Sequence, residues 1–316
     1  MTELLDIRPE VAVALAEGRP VVALETAVLA HGLPPPHNLE TARAMERAVR
    51  AAGAVPATLG LIGGRVRVGL DAAELARFAD PDEPAAKVSH RDLGPVLAAG
   101  GLGATTVAAT LACAARAGIR LLATGGIGGV HRSGPAGGAD RLDVSADLTE
   151  LARAPVAVVC AGAKAVLDLP RTLEVLETQG VPVLGYGCDD FPAFYARRSG
   201  LRLEARVDTP KAAAAALRAH WRLGLPGGLV IAVPPPAATA LDVEELEPWI
   251  GQALAEAAAQ GVAGQAVTPF LLARLAALSA GRTLAANTAL LEHNARIGGE
   301  IAAALSRRDL EDTQAE

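Results

Sequence analysis

Short apolar, β-branched runs alternate with alanine-rich helical segments along most of this chain, and this alternation limits its fold most. Residues 21–29 and 156–160 have the composition of buried strands, and residues 104–118 have the small side chains and terminal glycine of a helix. Hydrophobic residues make up 51% of the chain but aromatic residues only 3%, as in parallel sheets covered by helices. Gly63 and Gly64, between two apolar runs, predict one hairpin. We therefore predict an α/β fold with three α/β/α layers and a mixed, largely parallel central sheet.

The chain has 316 residues, more than the ~100–200 typical of one domain, but no Pro/Ser-rich or highly charged linker divides it. We predict a single domain over residues 1–305 and a polar tail over residues 306–316.

A net charge of −6 without a basic stripe argues against a nucleic-acid partner. The apolar runs are shorter than the ~18 residues that cross a bilayer. With an acidic N-terminus and three cysteines outside any CxxC pair, we expect a cytoplasmic protein with reduced thiols that acts on a small molecule.

A glycine-rich segment, ATGGIGGVHR (123–132), follows one of the predicted strands. Such loops bring backbone N–H groups close to an anionic ligand. The segment does not match a dinucleotide-binding fingerprint, because no GxGxxG opens a helix here with an acidic residue ~20 positions on. Thr124 and His131 are candidate phosphate donors. His131 and Arg132 are equally well explained as exposed side chains.

Aspartates follow the glycine-rich segment, and Asp143 and Asp147 would share one face of a helix. Carboxylates bind hard cations, and one carboxylate completed by water suits Mg²⁺ or Mn²⁺ better than Zn²⁺. Asp147 has a structural alternative, because together with Glu150 it could cap the following helix. We therefore predict the metal site at Asp143.

One charged residue lies within a predicted apolar strand, and another follows the end of one. Glu25 lies within 21–29, and burial there would raise the pKa of its carboxyl group into the range of a general acid. The alternative is an exposed strand end. Lys164 follows the strand 156–160, at the strand end where α/β enzymes bind ligands. A lysine there can attack a carbonyl-level carbon or can simply extend its ammonium group to solvent; the sequence favours function at both positions.

Three further residues have no role that composition alone assigns. Lys87 has the surroundings of a solvated loop lysine, and Asn287 those of a helix-packing asparagine. His31 either lines the same pocket as Glu25 or is a turn residue, and the pattern does not choose between the two.

Several longer motifs in order resemble the pseudouridine-5′-phosphate glycosidase family, also called the indigoidine synthase A-like family. These motifs, spread over residues 5–305, are ALETAVLAHGLP, ATGGIGGVHR, DVSADLTELARAPVAVVCAGAK, DLPRTLEVLETQGVPVLGYG, DDFPAFY and TPFLL…LAANTALLEHNARIGGEIA. The resemblance implies cleavage of the C–C glycosidic bond of pseudouridine 5′-phosphate to uracil and ribose 5-phosphate. It also implies a divalent cation, typically Mn²⁺ with Mg²⁺ as a substitute, and a homotrimer.

The resemblance also implies roles for individual residues. Lys164 matches the family nucleophile, which forms a Schiff base, Glu25 its proton donor and Asp143 its metal ligand. The remaining matches are substrate contacts: Lys87, Val107, Ser145, Ala146, Asp147 and, at the base, Asn287. The resemblance thus gives Lys87 and Asn287 functions that composition alone does not.

Two departures from the family pattern stand out. The segment between His131 and Asp143 is longer than usual, and Cys188 stands where threonine is expected.

Two other functions fit the same residues: a lysine-dependent sugar-phosphate aldolase or lyase, and a non-catalytic regulator that binds a nucleotide or sugar phosphate. A C–C glycosidic bond has no leaving heteroatom to protonate, so a pair of carboxylates alone would not cleave it, whereas a lysine could form a covalent intermediate.

Overall fold

The computed structural model describes residues 3–132, 143–262 and 264–313. The strands within these ranges are β1 (Leu5–Ile7), β2 (Val21–Leu24), β3 (Val55–Ile62), β4 (Arg65–Val68), β5 (Ala86–Val88), β6 (Gly103–Thr105), β7 (Leu121–Ala123), β8 (Val130–His131), β9 (Ala157–Cys160), β10 (Leu167–Asp168), β11 (Val183–Tyr186), β12 (Ala205–Val207) and β13 (Val230–Ala232). The α-helices are α1 (Pro9–Ala16), α2 (Ala27–His31), α3 (His37–Ala51), α4 (Ala72–Ala79), α5 (Leu93–Ala99), α6 (Val107–Ala117), α7 (Ala146–Leu151), α8 (Leu169–Thr178), α9 (Pro210–Arg222), α10 (Val243–Ala259), α11 (Val267–Leu278) and α12 (Arg282–Thr313).

Eleven strands form one central sheet, in the order β1-β4-β3-β2-β7-β9-β13-β11-β12, with β6 also paired to β3 and β5 paired to β6. The neighbours β2–β3, β2–β7, β7–β9, β9–β13, β13–β11 and β11–β12 are parallel. Strand β3 is antiparallel to both β4 and β6. The prediction of a mixed, largely parallel sheet is confirmed.

The antiparallel pair β3–β4 is joined by the predicted two-residue turn. Gly63 and Gly64 have φ values of 59° and 77°, in the left-handed region that side chains with a Cβ rarely adopt. Two consecutive positive φ values match the right-handed twist of a hairpin. The glycine pair therefore fixes the register of Leu59 opposite Val68 and Ile62 opposite Arg65.

Helices pack against the central strands β2, β7 and β9 in two groups. Helix α12 lies on all three strands and contacts α3 and α9, whereas α6 lies on β2, β3 and β7 and contacts α7. Small residues allow this close packing: at Gly298 of α12 an added Cβ would lie 3.2 Å from the Cβ of Ala123 in β7. The result is the α/β/α layering predicted from the alternating pattern.

Helix α12 continues to Thr313, past residue 305 where the sequence analysis begins the polar tail. The division into a domain over 1–305 and a tail stays a prediction. Across the described residues, none of the helices combines the length and apolar character that a membrane crossing requires.

Candidate active site

Three neighbouring parallel strands end at the candidate site. Glu25 directly follows β2, Thr124 directly follows β7, and Lys164 lies four residues after the end of β9. The Lys164 backbone N–H donates to the carbonyl oxygen of Ile127 at 3.1 Å, which ties the lysine to the glycine-rich segment. The carboxyl ends of parallel strands are where open α/β sheets bind ligands, and Glu25 and Lys164 both lie at this edge of the sheet.

Glu25 is buried, with 5% of its surface exposed. The hydroxyl of Thr124 donates a hydrogen bond to its Oε1. Burial raises the pKa of Glu25, and the positive charge of Lys164 and the Thr124 hydrogen bond oppose this shift. The side chain therefore keeps its proton at higher pH than an ordinary glutamate, as a general acid must.

Lys87, on strand β5, places a second cation near this carboxyl group. Burial lowers the pKa of Lys87, and so does the charge of Lys164, while Glu25 and Asp147 act in the opposite direction. The two lysines and two carboxyl groups thus form one electrostatically coupled group. The loop position that composition suggests for Lys87 is wrong, because the residue lies in a strand that pairs with β6.

Two chambers that share part of their walls open around these residues. The inner chamber is the smaller and is lined by Glu25, Ala27, Val28, His31, Gly32, Lys87, Thr106, Thr124, Gly125, Gly126, Lys164, Phe194, Thr268, Pro269, Leu272, Asn287 and Leu291. The outer chamber is larger and more polar and is lined by Lys87, Ser89, His90, Arg91, Thr106, Gly128, His131, Asp143, Val144, Ser145, Ala146, Asp147, Thr149, Glu150, Arg153, Lys164, Leu167, Gly264 and Thr268. Four residues belong to both walls: Lys87, Thr106, Lys164 and Thr268. Lys164 therefore lies where the two chambers join.

Asp147 lies in the outer wall and does not cap its own helix. Its Oδ1 accepts from the backbone N–H of Ala108 at 2.9 Å, and its Oδ2 accepts from that of Gly128 at 2.8 Å. Ser145 is the N-cap of α7, and its Oγ accepts from the Asp147 N–H at 3.2 Å. The capping alternative for Asp147 and Glu150 is thus wrong, because the Asp147 carboxylate joins the glycine-rich segment to the start of α6.

The glycines of this segment allow a close backbone approach. A Cβ added at Gly128 would lie 2.2 Å from the Ser145 Oγ and 2.9 Å from the Asp147 Oδ2. A Cβ added at Gly126 would lie 2.6 Å from the Phe194 ring. Side chains at these positions would displace the groups that form the chamber walls.

Asp143 is exposed and contributes to the outer chamber. Within the described ranges, no group of three or more His, Cys, Asp or Glu side chains could hold a metal ion together. The nearby Asp147 uses both carboxylate oxygens for backbone N–H groups. Among the described residues, a hard cation at Asp143 would therefore have one carboxylate ligand and would complete its shell with water or substrate, which fits Mn²⁺ or Mg²⁺.

The other predicted contacts fall on both chambers. His131, Ser145 and Ala146 line the outer chamber, and Asn287 lines the inner one. Val107 is the exception, because its side chain is 1% exposed and packs in the main core. Any contact of Val107 with substrate must use its backbone, so its predicted role stays a prediction.

Arg132 does not face the outer chamber, in contrast to its neighbour His131. Its guanidinium group donates to the carbonyl oxygens of Leu167 at 3.0 Å and Ala165 at 3.1 Å. It also forms a bidentate ion pair with Glu247 of α10, at 2.7 and 2.9 Å. Arg132 therefore links the end of the glycine-rich segment to α10. The segment between His131 and Asp143 that the sequence analysis expects to be longer than usual includes residues 133–142, which lie outside the described residues.

Two polar residues of the site were missed by sequence reasoning. Thr106, the residue before α6, lines both chambers, and its Oγ1 is buried without a partner in the described structure. Asn294 of α12 is fully buried and donates from Nδ2 to the carbonyl oxygens of Thr124 at 2.9 Å and Gly125 at 3.4 Å. A spacing of seven residues from Asn287 places both asparagines on one face of α12, and this pattern could have identified Asn294.

The fold and this arrangement define an α/β enzyme site with a buried acid after β2 and a lysine after β9, two parallel strands that both pair with β7. The chain belongs to the indigoidine synthase A-like family, whose family model matches residues 10–304. The resemblance drawn from the sequence motifs is therefore confirmed.

Curated relatives cover almost the whole chain. A pseudouridine-5′-phosphate glycosidase of Symbiobacterium thermophilum is 55% identical over 305 residues, which cover 96% of this chain and 99% of that protein. A protein of the same name from Deinococcus radiodurans is 52% identical over 303 residues, with 96% and 95% covered.

Solved structures share the fold at full length. The prealnumycin C-glycosynthase AlnA, crystallised with ribulose 5-phosphate, is 44% identical with a TM-score of 0.88, covering 98% of this chain and 99% of that one. An indigoidine synthase A-like protein of Thermotoga maritima is 36% identical with a TM-score of 0.86, covering 96% and 97%.

Proposed function

We propose that this protein is a pseudouridine-5′-phosphate glycosidase, which reversibly cleaves the C–C glycosidic bond of its substrate to uracil and ribose 5-phosphate. The relatives that carry this name cover nearly the whole chain. The observation that carries the proposal is the position of Lys164 at the junction of the two chambers, beside the buried acid Glu25. A nucleophile there can reach the sugar carbon that joins the base to the ribose phosphate.

The walls of the two chambers differ in polarity and charge, and so do the base and the sugar phosphate of the substrate. The inner chamber has apolar walls and the amide of Asn287, which suit a flat, polar-edged base. The outer chamber presents His131, Arg91 and Arg153, and Lys87 at the junction, which suit a phosphate. The base therefore occupies the inner chamber and the sugar phosphate extends into the outer one.

The proposed chemistry uses Lys164 as a covalent nucleophile. Its amine attacks C1′ while Glu25 gives a proton to the ring oxygen, so the C–N bond forms as the C–O bond of the ring breaks. The attacking nitrogen returns a proton to Glu25, and its lone pair then forms the Schiff base as the C1′–C5 bond breaks and Glu25 gives this proton to C5 of uracil. Water hydrolyses the Schiff base, which releases ribose 5-phosphate and restores the lysine.

Other nucleophiles fit the site less well. Burial raises the pKa of both Cys113 and Cys160 to about 12, so neither supplies a thiolate near neutral pH. An aldolase or lyase acting on a sugar phosphate would share the lysine chemistry but would not need the inner chamber. The amide of Asn287 in that chamber favours a substrate with a base.

We also propose that Asp143 holds a divalent cation, Mn²⁺ or Mg²⁺, whose charge would stabilise substrate oxygens in the outer chamber. An exposed carboxylate on the wall of a polar chamber supports this assignment. The homotrimer and the cytoplasmic location stay predictions from the resemblance and the sequence.

The test is incubation of the purified protein with pseudouridine 5′-phosphate and Mn²⁺, with free uracil and ribose 5-phosphate measured by chromatography. We expect both products in equal amounts, and none from uridine 5′-phosphate, whose base is joined through nitrogen. Lys164→Arg, which keeps the charge but removes the nucleophilic amine, is the matched inactive control. Bound but unchanged substrate after long incubation would support the non-catalytic regulator instead.

A further inference from the structure

His31 is a wall residue of the inner chamber for which neither the sequence nor the proposed chemistry gives a role. It is the last residue of the short helix α2. The residue lines the inner chamber but not the outer one, in contrast to Lys87 and Lys164, which line both. Its Nε2 is buried and has no hydrogen-bond partner in the described structure.

The protonation state of the ring follows from its surroundings. Burial and the nearby charge of Lys87 lower the pKa of His31, and a hydrogen bond with the Ala85 carbonyl opposes this shift. His31 is therefore neutral at neutral pH. Because a carbonyl only accepts, we assign the ring proton to Nδ1, which leaves the unpartnered Nε2 as an acceptor.

A buried acceptor without a partner is unfavourable, so a ligand donor at this position would relieve that cost. The inner chamber is the part of the site that suits the base. Uracil carries two ring N–H donors, N1–H and N3–H. The base of pseudouridine keeps both, because it is joined to the sugar through C5. We propose that His31 Nε2 accepts a hydrogen bond from one of these ring N–H groups and so selects the base. This assignment rests on the proposed function.

Asn287 complements this contact. It lines the same chamber and is buried. Its amide provides both donors and an acceptor, which match the alternating carbonyl and N–H groups along the edge of uracil. His31 and Asn287 would therefore read adjacent parts of one ring.

The experiment measures inhibition of pseudouridine 5′-phosphate cleavage by uracil, 1-methyluracil, 3-methyluracil and ribose 5-phosphate. For the wild type we expect one methyluracil to bind at least about tenfold more weakly than uracil, as expected for one lost hydrogen bond. In His31→Ala, uracil should bind roughly tenfold more weakly and that methyl penalty should nearly vanish. The inhibition constant of ribose 5-phosphate should not change.

Three further variants complete the design. His31→Phe keeps a ring without an acceptor and carries the test if the alanine variant does not fold. His31→Gln offers an amide oxygen and should restore part of the methyl discrimination. His37→Ala, at an exposed histidine of α3, should match the wild type throughout.

Two results would overturn the inference while leaving the proposed function intact. One is an unchanged penalty for both methyluracils in an active His31→Ala or His31→Phe variant. The other is equal weakening of uracil and ribose 5-phosphate, which would indicate a purely structural role. A wild-type protein that releases no uracil overturns the proposed function and this inference together.

Discussion

The hydroxyl of Thr124 donates a hydrogen bond to the buried carboxyl group of Glu25, although 99 positions separate the two residues in the chain. They meet because β2 and β7 are neighbouring parallel strands that end at the same edge of the sheet. The bond opposes the effect of burial, which raises the pKa of Glu25. Thr124 therefore influences the pH range in which Glu25 keeps its proton.

Replacement of Thr124 by valine should move the alkaline limb of the kcat/KM profile to higher pH. A general acid is active when protonated, so activity falls as the pH rises through its pKa. Loss of a donor that favours the carboxylate raises the pKa of Glu25 further. The measurement is a pH–rate profile, with Thr124→Ser as the control that keeps the hydroxyl. An unshifted or acid-shifted limb in the valine variant would contradict the assignment of Glu25 as the acid.

Glu25→Gln should abolish turnover while making the fold more stable at alkaline pH. A carboxyl group with a raised pKa loses its proton at lower pH in the unfolded chain than in the folded one. Its contribution therefore destabilises the fold increasingly as the pH rises above the ordinary glutamate pKa. Thermal unfolding at several pH values should show a Tm advantage for the variant at pH 8 that disappears at pH 4. A constant difference across this range would show that the pKa of Glu25 is not raised.

Borohydride reduction in the presence of ribose 5-phosphate should attach the sugar phosphate to Lys164. The chain has only three lysines, Lys87, Lys164 and Lys211, so peptide mass spectrometry can assign the adduct without ambiguity. Lys164→Ala should prevent the adduct and lower kcat by several orders of magnitude. Lys211→Arg, at an exposed position of α9, should leave both unchanged. An adduct on Lys87 alone would reassign the nucleophile.

Asp147→Ala should destabilise the protein by about 2–6 kcal/mol. The substitution leaves the buried backbone N–H groups of Ala108 and Gly128 without their acceptor, at about 1–3 kcal/mol each. Denaturant unfolding gives the free energy directly, with the exposed Asp82→Ala as the control. A loss of only ~1 kcal/mol would be typical of a helix cap and would favour the capping role that the structure contradicts.

Chelation should abolish activity without unfolding the protein, and Mn²⁺ should restore it. A single carboxylate ligand implies weak, exchangeable binding, so removal of the metal should leave Tm within about 2 °C. Asp143→Ala should raise the Mn²⁺ concentration for half-maximal activity by at least about tenfold. Activity and Tm are measured on the same chelated samples. Full activity after exhaustive chelation would exclude the metal.

The sheet and its hairpin were predictable from the sequence because their determinants are local. The apolar run that contains Glu25 and the pair Gly63-Gly64 specify a buried strand and a tight turn within a few residues. Asp147 was not predictable in the same way, because its partners lie 39 and 19 positions away. A side chain that bonds distant backbone groups looks, from the sequence, like an ordinary cap.

The site shows the same division between local and distant determinants. Lys87 appeared solvated because polar residues surround it in sequence, whereas the parallel pairing of β5 with β6 brings it to Glu25 and Lys164. At the start of α6 a single position matters, because Thr106 has extended backbone and faces the chambers while Val107 begins the helix and packs inward. The helix boundary that decides between them is the feature that sequence patterns locate least well.

The position of helix α12 late in the sequence affects when the site can form during synthesis. The helix carries Asn287 and holds the turn at Thr124 through Asn294, yet it follows all the other described elements in the chain. A nascent chain that already contains Glu25, Lys87, Lys164 and the whole central sheet would still lack one wall of the inner chamber. The protein can therefore acquire its complete site only after α12 has been synthesised, and a chain terminated before residue 282 would carry the reactive groups without the helix that encloses them.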